Sequence, residues 1–70
     1  LPAAELKIDR SFVTDLASSE EARSIVRSIV QMARALEIRV VAEGVEDEHQ
    51  RDLLVQLGCD ELQGFLSRGR

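Results

Sequence analysis

Cysteine, histidine, proline and basic charge are all scarce in these 70 residues, and each shortage removes a class of protein. A single cysteine, Cys59, leaves no partner for a disulfide within the chain. With His49 the only histidine, no Cys/His cluster has metal-ligand spacing. Thirteen acidic against nine basic side chains give a net charge of −4, which argues against a duplex nucleic-acid binder. Such a protein needs a basic patch to displace counterions from phosphates. A small phosphate ligand held with a metal ion stays open. No apolar run approaches a membrane span, and the chain does not open like a signal peptide. A cytoplasmic setting is therefore the expectation, in keeping with an unpaired cysteine.

Domains below roughly 70–80 residues gain only a few kcal/mol from their core unless something staples them. Neither disulfide nor Cys/His metal cluster is on offer here. The missing support is expected from further chain, or otherwise from a partner subunit.

What is present alternates between two periods. Pro2 makes the opening a loop-like lead-in. Leu6-Lys7-Ile8-Asp9 alternates as a strand does, with Leu6 and Ile8 on one side and Lys7 and Asp9 on the other. Arg10 to Ala17 reads as a loop with a helical turn, packing Phe12, Val13 and Leu16. A helix follows, capped by Ser18 with Glu21 completing a capping box. Its apolar stripe is Ala22, Ile25, Val26, Ile29, Val30, Ala33 and Leu36. Arg23, Arg27 and Gln31 fill its wet face. A β-branched run, Arg39 to Ala42, is the central strand, and Gly44 is expected to end it. Asp47 caps a second helix with Gln50 at the capping-box position; Leu53, Leu54 and Leu57 form its buried side, and Gly58 stops it. A last short strand falls at Glu61 to Gly64. Cys59, Met32 and Phe65 read as packing residues, and His49 as a solvated one.

Strands separated by helices imply parallel pairing through right-handed crossovers. The expected fold is α/β: a parallel β-α-β-α-β sector of a TIM-like (β/α)8 barrel, a fold of about 250 residues when complete. Two open sheet edges would remain, and these could also support a homo-oligomer. Parallel strands bring their carboxyl ends side by side, so Lys7 and Asp9, then Glu43, then Gln63 converge on one rim. An ammonium, carboxylates and an amide together suit a phosphate or metal-assisted site.

Three stretches sharpen that reading: Leu6-Lys7-Ile8-Asp9-Arg10-Ser11-Phe12-Val13, Val41-Ala42-Glu43-Gly44-Val45-Glu46, and Gly58-Cys59-Asp60-Glu61-Leu62-Gln63-Gly64-Phe65. In this order and spacing they resemble the C-terminal part of the EAL domain family, the bacterial cyclic-di-GMP phosphodiesterases. The resemblance covers nearly the whole chain and implies that residues 1–70 are a C-terminal fragment of a single EAL domain. It implies a modified TIM barrel that uses Mg²⁺ or Mn²⁺ to hydrolyse cyclic-di-GMP to pGpG. On that basis Lys7 and Glu43 are the expected catalytic residues. Lys7 would stand near the scissile phosphate and attacking water, and Glu43 would orient or deprotonate that water. Gln63 matches the family's substrate-binding glutamine, and Asp9 and Glu46 are expected to support the site from behind.

The sequence also departs from the family pattern. The Glu-Ala-Leu signature, the Asn and Glu metal ligands of the middle strands and the Asp-Asp-Phe-Gly-Thr-Gly segment are not in it. Glu21-Ala22-Arg23 is no substitute, because it opens a helix on the outside. Most metal ligands are therefore expected upstream of Leu1, and these residues alone are expected to be inactive. The end reads Leu66-Ser67-Arg68-Gly69-Arg70 where the family usually has Phe-Ser-Arg-Pro. Two other readings compete: a degenerate EAL domain that binds cyclic-di-GMP or a protein partner without turnover, and an independent α/β module that assembles through its edges.

Overall fold

A computed structural model describes residues 4–64. Six elements follow in order: β1 (Glu5–Ile8), α1 (Arg10–Asp15), α2 (Glu20–Ala35), β2 (Arg39–Val45), α3 (Glu48–Leu57) and β3 (Glu61–Gly64). The strands form one parallel sheet in the order β1-β2-β3, with Glu5 opposite Arg39, Lys7 opposite Val41, and Val41 opposite Glu61. The parallel β/α alternation expected from the sequence is present, with one further helix.

That further helix, Arg10–Asp15, occupies the stretch read as a loop with a helical turn. Asp9 starts it: its carboxylate accepts from the Ser11 backbone N–H at 3.0 Å and from the Ser11 hydroxyl at 2.9 Å. Val13 and Leu16 are fully buried beneath it, whereas Phe12 stays on the surface. A six-residue helix has little stability of its own, so packing holds it. Its closing carbonyl at Leu16 takes a hydrogen bond from Arg23 Nη1 at 2.6 Å, which draws Arg23 off the wet face assigned to it.

The cap of α2 is Ser19 and not Ser18, since the Ser19 hydroxyl accepts from Ala22 N–H at 3.0 Å. The turn closing α1 extends further than the sequence pattern suggests. Ser18 still belongs to that turn, its hydroxyl donating to Asp15 O at 3.5 Å, whereas Ser19 is extended at φ −128°, ψ 112°, as a cap requires. The buried stripe of α2 is narrower than expected: Ala22, Val26, Val30 and Ala33 are buried, while Ile25, Leu36 and also Met32 are exposed. Helix α2 ends with two reversed bonds, Ile38 N to Ala33 O at 2.8 Å and Glu37 N to Arg34 O at 3.1 Å. This is a Schellman cap, with Glu37 at a positive φ of 59°. No glycine announces it in the sequence. Helix α3 ends in the same way on Gly58, at φ 99°.

Helices α1, α2 and α3 contribute to a single apolar cluster on one face of the sheet. Ile8, Val40, Ala42 and Val45 meet Val13, Leu16, Val26, Val30, Ala33 and Leu54 there, with Cys59 and Leu62 at its margin. Burying a Val or Leu side chain is worth about 1.5–3 kcal/mol, far more than helix propensity offers per residue. Asp60 locks the β2–β3 entry, its carboxylate accepting from the Val40 N–H at 2.8 Å while its own N–H donates to Val40 O at 2.9 Å. Among the described residues no helix is long and apolar enough to cross a membrane. Phe65 and the divergent end of the chain lie outside the described residues.

Candidate active site

Side chains alternate across a strand, so the face opposite the apolar cluster carries Glu5 and Lys7 of β1, Arg39, Val41 and Glu43 of β2, and Glu61 and Gln63 of β3. Apart from the buried Val41 it is polar and charged.

The central strand is not ended by Gly44 as the sequence suggested; it bulges there and runs on to Val45. Ala42 lies opposite Leu62 and Val45 opposite Gly64, so Glu43 and Gly44 together face the single residue Gln63. One extra residue in β2 restores Val45 to the core face and sets the Glu43 and Gln63 backbones against each other. Two glycines make the bulge possible. Gly44 has φ 76°, and a Cβ there would lie 2.8 Å from the Arg10 side chain. Gly64 lies so close to the Val45 backbone that a Cβ would strike it.

Lys7 Nζ stands 3.5 Å from Glu43 Oε2 across the β1–β2 ladder. Both side chains are substantially exposed, so the pair adds little stability and both groups can reach a ligand. Gln63 Nε2 donates to Glu61 Oε2 at 3.1 Å, and Glu61 Oε1 takes Arg39 Nη2 at 2.7 Å. The Gln63 and then the Arg39 hydrogen bonds hold the Glu61 carboxyl below its usual range. An open cleft of about 650 Å³ is lined by Arg10, Glu43, Gly44, Glu61, Leu62, Gln63 and Gly64.

Of the five residues singled out from the sequence, Lys7 and Glu43 come together, and Gln63 sits beside Glu43 on the cleft wall. Asp9 is engaged elsewhere. It caps α1, and its carboxyl is held low by the Ser11 N–H and then the Ser11 hydroxyl. Glu46 lies past the end of β2, where its N–H donates to the buried Gln50 Oε1 at 2.6 Å. Arg10 and Glu61 were missed as cleft residues. The i, i+2 spacing of Glu61 and Gln63 was the available signal for one; Arg10 reaches the cleft only by lying over Gly44, which no spacing reveals.

No group of three or more His, Cys, Asp or Glu side chains among the described residues could hold a metal ion. Glu43 can supply one carboxylate, with an ammonium beside it. These residues alone do not make a metal site.

Parallel strands with helices packed on one face and a polar cleft at their carboxyl ends fit a sector of a TIM-barrel-like α/β domain. The EAL domain profile matches residues 1–68, and the chain belongs to that family. Its relatives include the bifunctional diguanylate cyclase/cyclic di-GMP phosphodiesterase MucR of Pseudomonas aeruginosa, 53% identical over 66 residues, covering 94% of this chain and 10% of MucR. The solved PaMucR phosphodiesterase in complex with c-di-GMP superposes with a TM-score of 0.86 at 53% identity, over 100% of this chain and 28% of that one. Klebsiella pneumoniae BlrP1, in a manganese and cyclic-di-GMP complex, gives a TM-score of 0.86 at 36% identity, over 94% of this chain and 17% of its own. The chain thus spans about a tenth of the length of the curated relative MucR and just over a quarter of its solved phosphodiesterase chain.

Proposed function

We propose that residues 1–70 are the C-terminal portion of a single EAL domain that hydrolyses one phosphodiester of cyclic-di-GMP to give pGpG. The observation carrying this reading is the Lys7–Glu43 pair at 3.5 Å on neighbouring strand ends, with Gln63 opposite Glu43 across the bulge. The activity of a bridging second messenger's hydrolase needs three things here: a base for water, a cation for developing negative charge, and a group that aims the water. Glu43 takes a proton from water as its oxygen attacks phosphorus. The P–O ester bond then breaks, and the departing sugar oxygen takes up a proton from solvent, to which Glu43 later releases the one it took. The Lys7 ammonium offsets the charge that builds on the phosphoryl oxygens. Gln63 fixes the direction of attack.

Mg²⁺ or Mn²⁺ would add Lewis-acid stabilisation, with most ligands drawn from strands of the barrel outside this chain. Those strands would also cover the outer edges of β1 and β3, which a homo-oligomer would otherwise bury. A cytoplasmic location accords with the unpaired Cys59 and with a nucleotide substrate. Asp9 and Glu46 support the site indirectly, through α1 and through the loop that follows β2.

The test uses the polypeptide carrying the complete domain, supplied with cyclic-di-GMP and Mn²⁺. Glu43→Gln and Lys7→Ala are each expected to lower pGpG formation by about a hundredfold or more. Residues 1–70 on their own are expected to form none. Unchanged turnover in Glu43→Gln refutes the assignment. Binding of cyclic-di-GMP without any turnover transfers the chain to a receptor.

A further inference from the structure

Gln63 reaches the cleft on a flexible side chain, yet its amide is tethered. Its Nε2 donates to Glu61 Oε2 at 3.1 Å. The other carboxylate oxygen, Oε1, takes the Arg39 guanidinium at 2.7 Å, and Arg39 comes from the neighbouring strand. Each oxygen of Glu61 therefore has its own partner, and the carboxylate is braced across the β2–β3 ladder. An ionised carboxylate only accepts hydrogen bonds, so only the NH₂ end of the amide can face it. That fixes which way round the amide sits.

We infer that Glu61 is a positioning residue for Gln63: braced by Arg39, it holds the amide NH₂ down the strand and presents Oε1 to the cleft as an acceptor. The inference rests on Gln63 belonging to the site, as proposed above. It adds a chemical restriction to that role. A carbonyl oxygen pairs with an O–H, as on the attacking water, and not with an unprotonated phosphate oxygen. Gln63 thus offers an acceptor that can aim the nucleophile, while the bond to Glu61 occupies only one of the two N–H donors of its amide. The bracing groups are half exposed, so the network contributes little to folding. Its loss is expected to show in turnover before it shows in stability.

The experiment is a double-mutant cycle in the complete domain with cyclic-di-GMP, reading kcat and KM separately. Glu61→Ala is expected to lower kcat by about tenfold with KM within about twofold, the pattern of an interaction that matters in the transition state. Glu61→Gln can still turn a carbonyl toward Gln63 Nε2 and is expected to fall between wild type and Glu61→Ala. In a Gln63→Ala background, Glu61→Ala is expected to have no further effect, because its only route of action is gone. If Glu61→Ala unfolds the domain, Glu61→Gln in the two backgrounds carries the same comparison. A Glu61 effect that persists undiminished without Gln63 overturns the inference. So does full turnover in Glu61→Ala when Gln63→Ala is slow. Full turnover in Gln63→Ala instead removes Gln63 from the site and overturns the underlying reading.

Discussion

Replacing Gly44 by alanine tests the bulge that organises the site. Two costs add. A non-glycine residue in the left-handed region costs roughly 1–2 kcal/mol, and Gly44 sits there at φ 76°. The new methyl would also lie 2.8 Å from Arg10 Cγ and 2.9 Å from Arg10 Cβ. Because Cβ is fixed to the backbone, the start of α1 must shift, and overpacking of this kind costs about 1–3 kcal/mol. The expected total is about 2–5 kcal/mol, or a Tm lowered by very roughly 4–20 °C in a complete domain near 250 residues. Denaturant unfolding of the complete domain measures it. Arg10→Gly removes the side chain that the methyl would strike, so in the double variant only the backbone share is expected to remain. Turnover is expected to fall too, since Glu43 and Gln63 face each other through this bulge. A Gly44→Ala domain less than about 0.5 kcal/mol below wild type, the usual span for an inconsequential surface change, would refute the reasoning.

Two further outcomes concern packing and acidity. Asp60→Ala strips the buried Val40 N–H of its acceptor, which is expected to cost about 1–3 kcal/mol in denaturant unfolding, while Asp60→Asn keeps a carbonyl there and loses less. Equal loss in both variants would count against the hydrogen bond. Burial, and secondarily the Asp60 charge, push the Cys59 thiol up to about 11 from 9.0. Alkylation by iodoacetamide at pH 8 is then expected to run about a hundredfold slower than on a free cysteine, because the thiolate reacts. Folding favours the protonated thiol, so this contribution to stability is intact below pH 9 and is lost as pH rises from 9 toward 11. A free-cysteine rate at pH 8 would contradict it.

The sequence by itself determined the order and type of the main elements. Periods of two and 3.6 residues record which side of each segment meets the core, and this local information survives without coordinates. It also determined the family, through three motifs in order, and it brought forward Lys7, Glu43 and Gln63, which lie together at one end of the sheet. Tertiary structure alone decided the rest. Helix α1 exists because Val13 and Leu16 find a core to enter, not because its six residues favour a helix. Ser19 replaces Ser18 as cap because the turn after α1 engages the Ser18 hydroxyl and leaves Ser19 extended. Asp9 caps α1, its carboxylate engaged by Ser11, a role set by where α1 begins. The bulge at Glu43–Gly44 shifts pairing by one residue, and only a partner strand can define a register. Contacts such as Arg39–Glu61 link residues 22 apart in the chain, and no local pattern encodes which distant group will lie 2.7 Å away.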